Sequence, residues 1–292
     1  MNPSTTIITN VAVPAVALIA LGVGIVLLFG FLQWRRATDA LRARLVGGAE
    51  ASPCPPFEEA SVDALPPPVA RYLRFALADG QPRVVTARLT SRGQFRRGEA
   101  ADAWIPFRAS QLFTAARPGF VWDARMRMAP GVAIHVVDAY VGGSGTLKAA
   151  VAGIFSVADA PDTEVLAAGE LMRWLAETPW LPTALLPGGC VEWTPLDDDS
   201  ARATVKDGGL EVSADFRFAP DGEVREVFVA ERPREVDGAY VPTPWSGRFW
   251  AYEERGGMRV PAEGVVQWHL PGGELPYWRG KITMARYETE AT

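Results

Sequence analysis

The chain has 292 residues, of which 48% are hydrophobic, 10% aromatic and 22% charged. That composition is globular, too apolar for a disordered chain and long enough to bury a sizeable core. A formal net charge of −5 supplies no overall basic field for nucleic acid. Two cysteines, Cys54 and Cys190, and two histidines, His135 and His269, exclude a disulfide scaffold and a four-cysteine zinc site.

From Val11 to Leu32 no residue is charged and Pro14 is the only proline. At about 1.5 Å per residue this run makes a helix of roughly 33 Å, enough to cross a bilayer core. Trp34 follows where an interfacial aromatic belongs. A cleaved signal peptide is the competing reading, but it calls for a basic start, a shorter apolar core and small residues at a cleavage site. Met1 to Asn10 carries no Lys or Arg, and the run ends in Phe29, Phe31, Leu32 and Gln33. The expectation is an uncleaved single-pass anchor. Arg35, Arg36, Arg42 and Arg44, opposed by Asp39, follow the run. The positive-inside bias places them, and the domain behind them, in the cytoplasm. An anchor that exports its domain despite these arginines is the alternative.

Thr38 to Leu45 reads as a short amphipathic helix continuing off the membrane, and Gly47 to Pro56 as a linker rich in Gly, Ala, Ser and Pro. Cys54 lies there between prolines, an ordinary free thiol. The expected organisation is an anchor and juxtamembrane helix over 1–46, a linker over 47–64 and a β-rich domain over 65–288. On this reading the anchor adds nothing to the core, so a chain starting near Phe57 is expected to stay folded and soluble. Pro68 suits a first helical turn, Val69 to Leu77 makes a short helix with Val69, Tyr72, Leu73 and Leu77 on its apolar face, and Gly80-Gln-Pro82 ends it.

Beyond Arg83 the hydrophobic period becomes two. Phe120, Trp122, Ala124, Met126 and Met128 alternate with Val121, Asp123, Arg125 and Arg127, and Leu210 to Phe218 alternates likewise. Further strand runs are Val84–Phe95, Ala103–Phe113, Val132–Val141, Leu147–Val157, Val191–Pro195, Ala201–Lys206, Glu223–Glu231, Ser246–Glu254, Met258–Leu270 and Tyr277–Tyr287. Turn signals such as Ala129-Pro-Gly, Lys206-Asp-Gly-Gly, Pro220-Asp-Gly, Arg255-Gly-Gly and Pro271-Gly-Gly separate them. About a dozen strands joined by tight turns predict antiparallel meanders in one sheet that must curl. One segment interrupts them. Pro161-Asp-Thr-Glu starts a helix with Val165, Ala168, Met172 and Leu175 in one stripe, widened by Leu171 and Trp174. Pro179 ends it, and the apolar Trp180 to Pro187 needs cover, most simply in the hollow of a curved sheet. The fold class is therefore mainly β (α+β), a large curved antiparallel half-barrel with a central helix on its concave side, preceded by one transmembrane helix.

This arrangement resembles a bacterial family carried only as a domain of unknown function. The residues that carry the resemblance are Leu65-Pro-Pro-Pro-Val-Ala-Arg-Tyr, Gly119-Phe-Val-Trp-Asp-Ala, Val137-Asp-Ala-Tyr-Val-Gly-Gly and Gly169-Glu-Leu-Met-Arg-Trp-Leu-Ala-Glu-Thr-Pro-Trp, with Pro187-Gly-Gly, Arg259-Val-Pro and Tyr277-Trp-Arg-Gly. They span about Leu65 to Tyr287. The resemblance carries no activity with it. The order of elements is also similar in topology to the carrier fold of the outer-membrane lipoprotein chaperones, a half-barrel with helices over an apolar concave side. The expected location is the inner membrane, single-pass.

Catalytic patterns are thin. No phosphate-binding or dinucleotide glycine loop precedes a helix, and Gly142-Gly-Ser-Gly lacks the setting of a nucleophile elbow. A serine nucleophile would need His135 or His269 as base, and both sit in strand patterns opposite apolar neighbours. Asp197-Asp-Asp lacks the spacing and glycine of a calcium loop. No catalysis, cofactor or metal is expected. Ten tryptophans are present, nine of them after Ala101. They either fill a large core or line an apolar cavity set with a few polar groups. The candidate ligand-binding set is Trp122, Asp138, Tyr140, Glu170, Arg173, Trp174 and Trp180. Asp138 shares a strand face with Val132, Ile134, Val136 and Tyr140, where a charge needs a partner. Arg173 can pair with Glu170 or Glu177 along the helix, and Glu170 or Arg173 is expected to face Asp138 or another strand charge. Two functions remain open: a membrane-anchored domain binding a lipid-like ligand in its concave face, or an interaction scaffold with a solid core and a protein partner at the membrane. An apolar cavity above roughly 300 Å³ favours the first.

Overall fold

A computed structural model describes residues 3–49, 55–96, 98, 104–129 and 132–290. Cys54, Ala103 and the Pro130-Gly131 turn lie outside the described residues. Three α-helices are described: α1 (Pro3–Gly47), α2 (Pro67–Ala76) and α3 (Glu164–Ala176). The strands are β1 (Thr86–Arg96), β2 (Trp104–Thr114), β3 (Gly119–Ala129), β4 (Val132–Val141), β5 (Ser144–Val151) and β6 (Phe155–Asp159), then β7 (Val191–Asp197), β8 (Ser200–Asp207), β9 (Leu210–Phe218), β10 (Val224–Val236), β11 (Ala239–Arg255), β12 (Met258–Leu270) and β13 (Gly273–Glu288).

All thirteen strands form one antiparallel sheet in the order β6-β5-β4-β3-β2-β1-β13-β12-β11-β10-β9-β8-β7. It is two meanders sewn together where β1 pairs with β13. So many twisted strands cannot stay flat, and the sheet curls into an open half-barrel. The order explains the central helix. The sheet has its edges at β6 and β7, so the chain between them must travel from one edge to the other. Residues 160–190 make that crossing over the concave face, where α3 packs on β3, β4, β5, β9 and β10.

The run read as one strand over Leu147–Val157 is two, because Ala152 and Gly153 take positive φ values of 54° and 72° and turn the chain. A further hairpin, turning at Asp237 and Gly238, lengthens β10 and β11 beyond the expected runs. Its prolines hid it, since proline is excluded from central strands. Here Pro233 and Pro242 face each other in an arm where β10 and β11 pair with no third strand.

Thr163 caps α3, its Oγ1 accepting the Leu166 N–H at 3.2 Å. The following 3₁₀ turns, Thr178–Trp180 and Pro182–Leu185, are buried throughout. Trp174 and Trp180 donate their indole N–H groups to the carbonyls of Thr114 and Pro261, each at 3.0 Å. Trp174, Leu171, Leu175, Leu181 and Leu185 are fully buried, so the hollow beneath α3 is closed to solvent and packed with core side chains. Tyr72 and Leu73 of α2 join the same cluster.

The N-terminal apolar helix is present, and its exposed face carries Leu18, Leu21, Ile25, Val26 and Leu28. It does not break after Leu32. The helix runs unbroken to Gly47, and its last third lies on the convex face of β2, β3 and β4. There Leu45 is buried with Leu112, Val121, Val137, Ala139 and Val141, and Trp34 and Leu41 pack beside them. Arg42 bonds Asp123 at 3.0 Å and Ser110 at 2.9 Å. Gly30 lies directly against Ile154, where a Cβ would collide. The expectation that the anchor adds nothing to the core is therefore corrected. Removing residues before Phe57 uncovers a second, smaller apolar cluster on the outside of the sheet, because the outer faces of β2 to β4 are apolar where the helix rests.

Candidate functional site

The polar side chains of α3 meet the concave face at one place. Trp122 and Asp138 are Cα partners on β3 and β4 and point inward. Arg173 bonds Asp138 and, at 2.9 Å, Glu177 Oε1 one turn along its own helix. Its guanidinium stands 4.8 Å from the Phe120 ring centroid and 5.1 Å from that of Trp122. Gln111 Nε2 donates to Glu177 Oε2 at 2.6 Å. A buried carboxylate is tolerable only when paired in this way.

Glu170, one turn before Arg173, is buried as well. Burial pushes its carboxyl well above the ordinary carboxylate range, the nearby Asp138 pushes it further, and Arg232 and Arg173 oppose the rise. Glu170 Oε2 and Asp138 Oδ1 both lack donors. A proton held on Glu170 and shared with Asp138 satisfies the pair, in keeping with the direction of the shift.

Next to this cluster lies a more open one. Arg232 is stacked over Trp245 and Trp268, at 4.9 and 5.7 Å. It donates to the Tyr277 hydroxyl at 3.2 Å, while its Nε has no acceptor. Tyr277 stacks on Trp268 at 5.8 Å and meets Phe95 edge-on at 5.9 Å. Ile105, Phe95 and Trp278 are successive Cα partners on β2, β1 and β13. With Met172 of α3, these rings are half-buried against the core rather than sealed inside it.

The structure thus brings Trp122, Asp138, Glu170 and Arg173 into one cluster. Tyr140 lies beside them, but its hydroxyl goes to Asp207 at 2.8 Å. Trp174 and Trp180 are separate core residues anchored to backbone carbonyls. Sequence reasoning missed Arg232, Trp268, Tyr277, Trp278 and Phe95 as a group. Tyr277 and Trp278 are neighbours in sequence, which alternation sends to opposite faces, and a register shift opposite Val266 and Gln267 brings both into the group; the pairing of β1 with β13 and the reach of the β10–β11 arm supply the rest.

Two arrangements that suggest chemistry are closed. Ser246 Oγ and His269 Nε2 are 2.9 Å apart, a contact not foreseen. Ser246 is fully buried, and His269 Nδ1 stands 4.0 Å from Glu274, whose Oε1 is taken by Arg248 at 2.8 Å. No substrate reaches that hydroxyl. Burial raises the Cys190 thiol to about 11, far from a reactive thiolate at neutral pH. Among the described residues, no group of three or more His, Cys, Asp or Glu is placed to hold a metal ion.

Among solved structures, the chain is similar to the LolA superfamily protein NE2245 from Nitrosomonas europaea, at 10% identity and a TM-score of 0.37, over 76% of this chain and 92% of that one. It is also similar to a beta-barrel-like protein of domain of unknown function DUF1849 from Brucella abortus, at 11% identity and a TM-score of 0.24, over 71% of this chain and 99% of that one. A search of curated proteins gave no match. Residues 55–280 match the model of a family of unknown function, DUF6544, which covers the whole run from the segment before α2 to the middle of β13, and the chain belongs to that family.

Proposed function

We propose that this protein is a membrane-anchored binding domain without catalysis, which takes up the apolar part of a lipid-like molecule at the open end of its concave face. The observation that supports this is the half-buried row of Ile105, Phe95, Trp278, Tyr277 and Trp268, with a partly unpaired Arg232 among the rings. Ligand sites are built from apolar walls with a few oriented polar groups. In this reading Trp122, Asp138, Glu170 and Arg173 form the rigid polar wall behind the groove. Trp174, Trp180 and Tyr140 hold α3 and its extension in place. The apolar part of α1 is the anchor, with the sheet in the cytoplasm on the inner face of the inner membrane.

The filled hollow beneath α3 favours a second reading, an interaction domain with a solid core and a protein partner. One experiment separates them. The full chain is placed in phosphatidylcholine nanodiscs containing a phosphatidylcholine with a diazirine at its acyl terminus, irradiated, and mapped by mass spectrometry. Binding at the groove puts label on the peptides holding Phe95, Ile105, Trp268 and Trp278, and Trp268→Ala with Trp278→Ala reduces it. Label confined to α1 refutes the groove and leaves the interaction domain.

A further inference from the structure

The convex face carries a feature that the reading above does not use. Arg125, Arg108, Arg92 and Lys281 are successive Cα partners on β3, β2, β1 and β13. Directly paired residues share a face, so four cations stand side by side across four strands. Arg127 and Arg279 flank this row, and together the six line a groove of about 910 Å³ whose sole acidic lining residue is Glu263. Glu263 is Lys281's neighbour at 3.4 Å. Among the described residues, Arg92, Arg108, Arg125 and Arg127 make no ion pair. Like charges directly opposite one another destabilise a sheet. In a chain of net charge −5, a row of this kind is a local concentration of positive charge against the overall balance.

The glycines beneath the row shape the groove. Gly264, Gly280 and Gly93 are successive partners on β12, β13 and β1. A Cβ on Gly93 would run into the Arg279 carbonyl and, at 2.9 Å, the Phe107 ring. Their absent side chains let the strands come close over Phe107.

The groove adjoins the point where α1 leaves the sheet. His135 is the Cα partner of Arg125 and packs on Phe31 and Trp34 of α1, with ring centroids 6.3 and 5.8 Å away. Toward the N-terminus from there, α1 is exposed and apolar. The strand ends at this exit also expose Met128, Val132 and Phe155, at 38%, 43% and 66%. Apolar side chains at the rim and cations just behind them match the layering of a bilayer surface, acyl boundary below and phosphates above.

We infer that this basic groove is a docking surface for the anionic phosphate headgroups of the leaflet in which α1 is seated. It holds the sheet against the membrane in one orientation. The inference rests on α1 as the anchor but is independent of any ligand in the concave face. Each groove cation near an anionic surface should strengthen contact severalfold, and salt should weaken it.

Arginine footprinting with phenylglyoxal tests this on the full chain in nanodiscs, with modification of each arginine read by mass spectrometry. Discs of phosphatidylcholine alone are compared with discs of phosphatidylcholine and phosphatidylglycerol. The expected result is that Arg92, Arg108, Arg125 and Arg127 react about tenfold more slowly in the anionic discs. Exposed Arg225, on β10, should react equally in both. Exchanging Arg92, Arg108, Arg125 and Arg127 for Gln should leave incorporation intact and abolish the enrichment of phosphatidylglycerol in lipid carried through purification. Equal rates in both discs overturn the proposal. Equal protection in neutral discs by added inorganic phosphate, or by single-stranded RNA, also overturns it, since the groove would then serve a soluble anion or a nucleic acid. Failure to enter neutral discs at all overturns the anchor and the leaflet contact together.

Discussion

Trp174→Ala asks whether the crossing segment is structural core. The Trp174 side chain is fully buried under α3, and its indole N–H meets the Thr114 carbonyl at 3.0 Å. Truncating a buried Trp to Ala costs about 3–5 kcal/mol where the cavity cannot collapse. The carbonyl left without its donor adds to this, bringing the sum to about 4–6 kcal/mol. For a domain of this size each kcal/mol shifts the midpoint by about 2–4 °C, so a fall of about 10–20 °C is expected. The assay is a circular-dichroism melt of the full chain in nanodiscs, with Trp174→Phe as the milder variant that keeps most of the ring but loses the hydrogen bond. A fall of only a few degrees for the Ala variant would refute the reasoning, because it would mean that α3 rests loosely in the hollow. If that mild effect came with lost lipid labelling, the hollow itself would be the binding site.

Three further outcomes follow from the polar contacts. Arg173→Met strips the cation from Asp138 and Glu177, both largely buried, and should cost about 3–5 kcal/mol; adding Asp138→Asn should recover part of it in the same melt. Glu170 has its carboxyl raised above the ordinary 4.5, so the folded chain holds a proton that the unfolded chain releases. Stability should therefore fall as pH rises from about 4.5 toward the folded value, and Glu170→Gln should flatten that slope when midpoints are compared across pH; an unchanged slope would count against a protonated Glu170. His135 is pushed below 6.5 by burial first and then by Arg125, so its partly buried, neutral form favours the docked α1. Lowering pH through the free value of 6.5 should loosen that docking, read as faster amide hydrogen exchange over residues 33–45 of α1, and His135→Phe should remove the effect.

Much of the architecture was legible in the sequence because it rests on local periodicity. Alternation over Phe120–Met128 and Leu210–Phe218 marked half-buried strands, Gly-rich turns marked hairpins, and the stripe through Met172 and Leu175 marked a helix with one apolar face. The charge of Asp138 on an apolar row demanded a partner, and Arg173 is that partner. What the tertiary structure decided is what lies side by side without being near in sequence. The pairing of β1 with β13 joins residues nearly 200 positions apart, and through it Arg125, Arg108, Arg92 and Lys281 become one basic row. In the sequence each is an ordinary exposed strand residue, because a period of two tells which face a side chain takes but not which strand stands next to it. The same limit hid the docked end of α1. Trp34, Leu41 and Leu45 look like the tail of an anchor until the convex faces of Leu112, Val121 and Val137 are assembled opposite them by strand register.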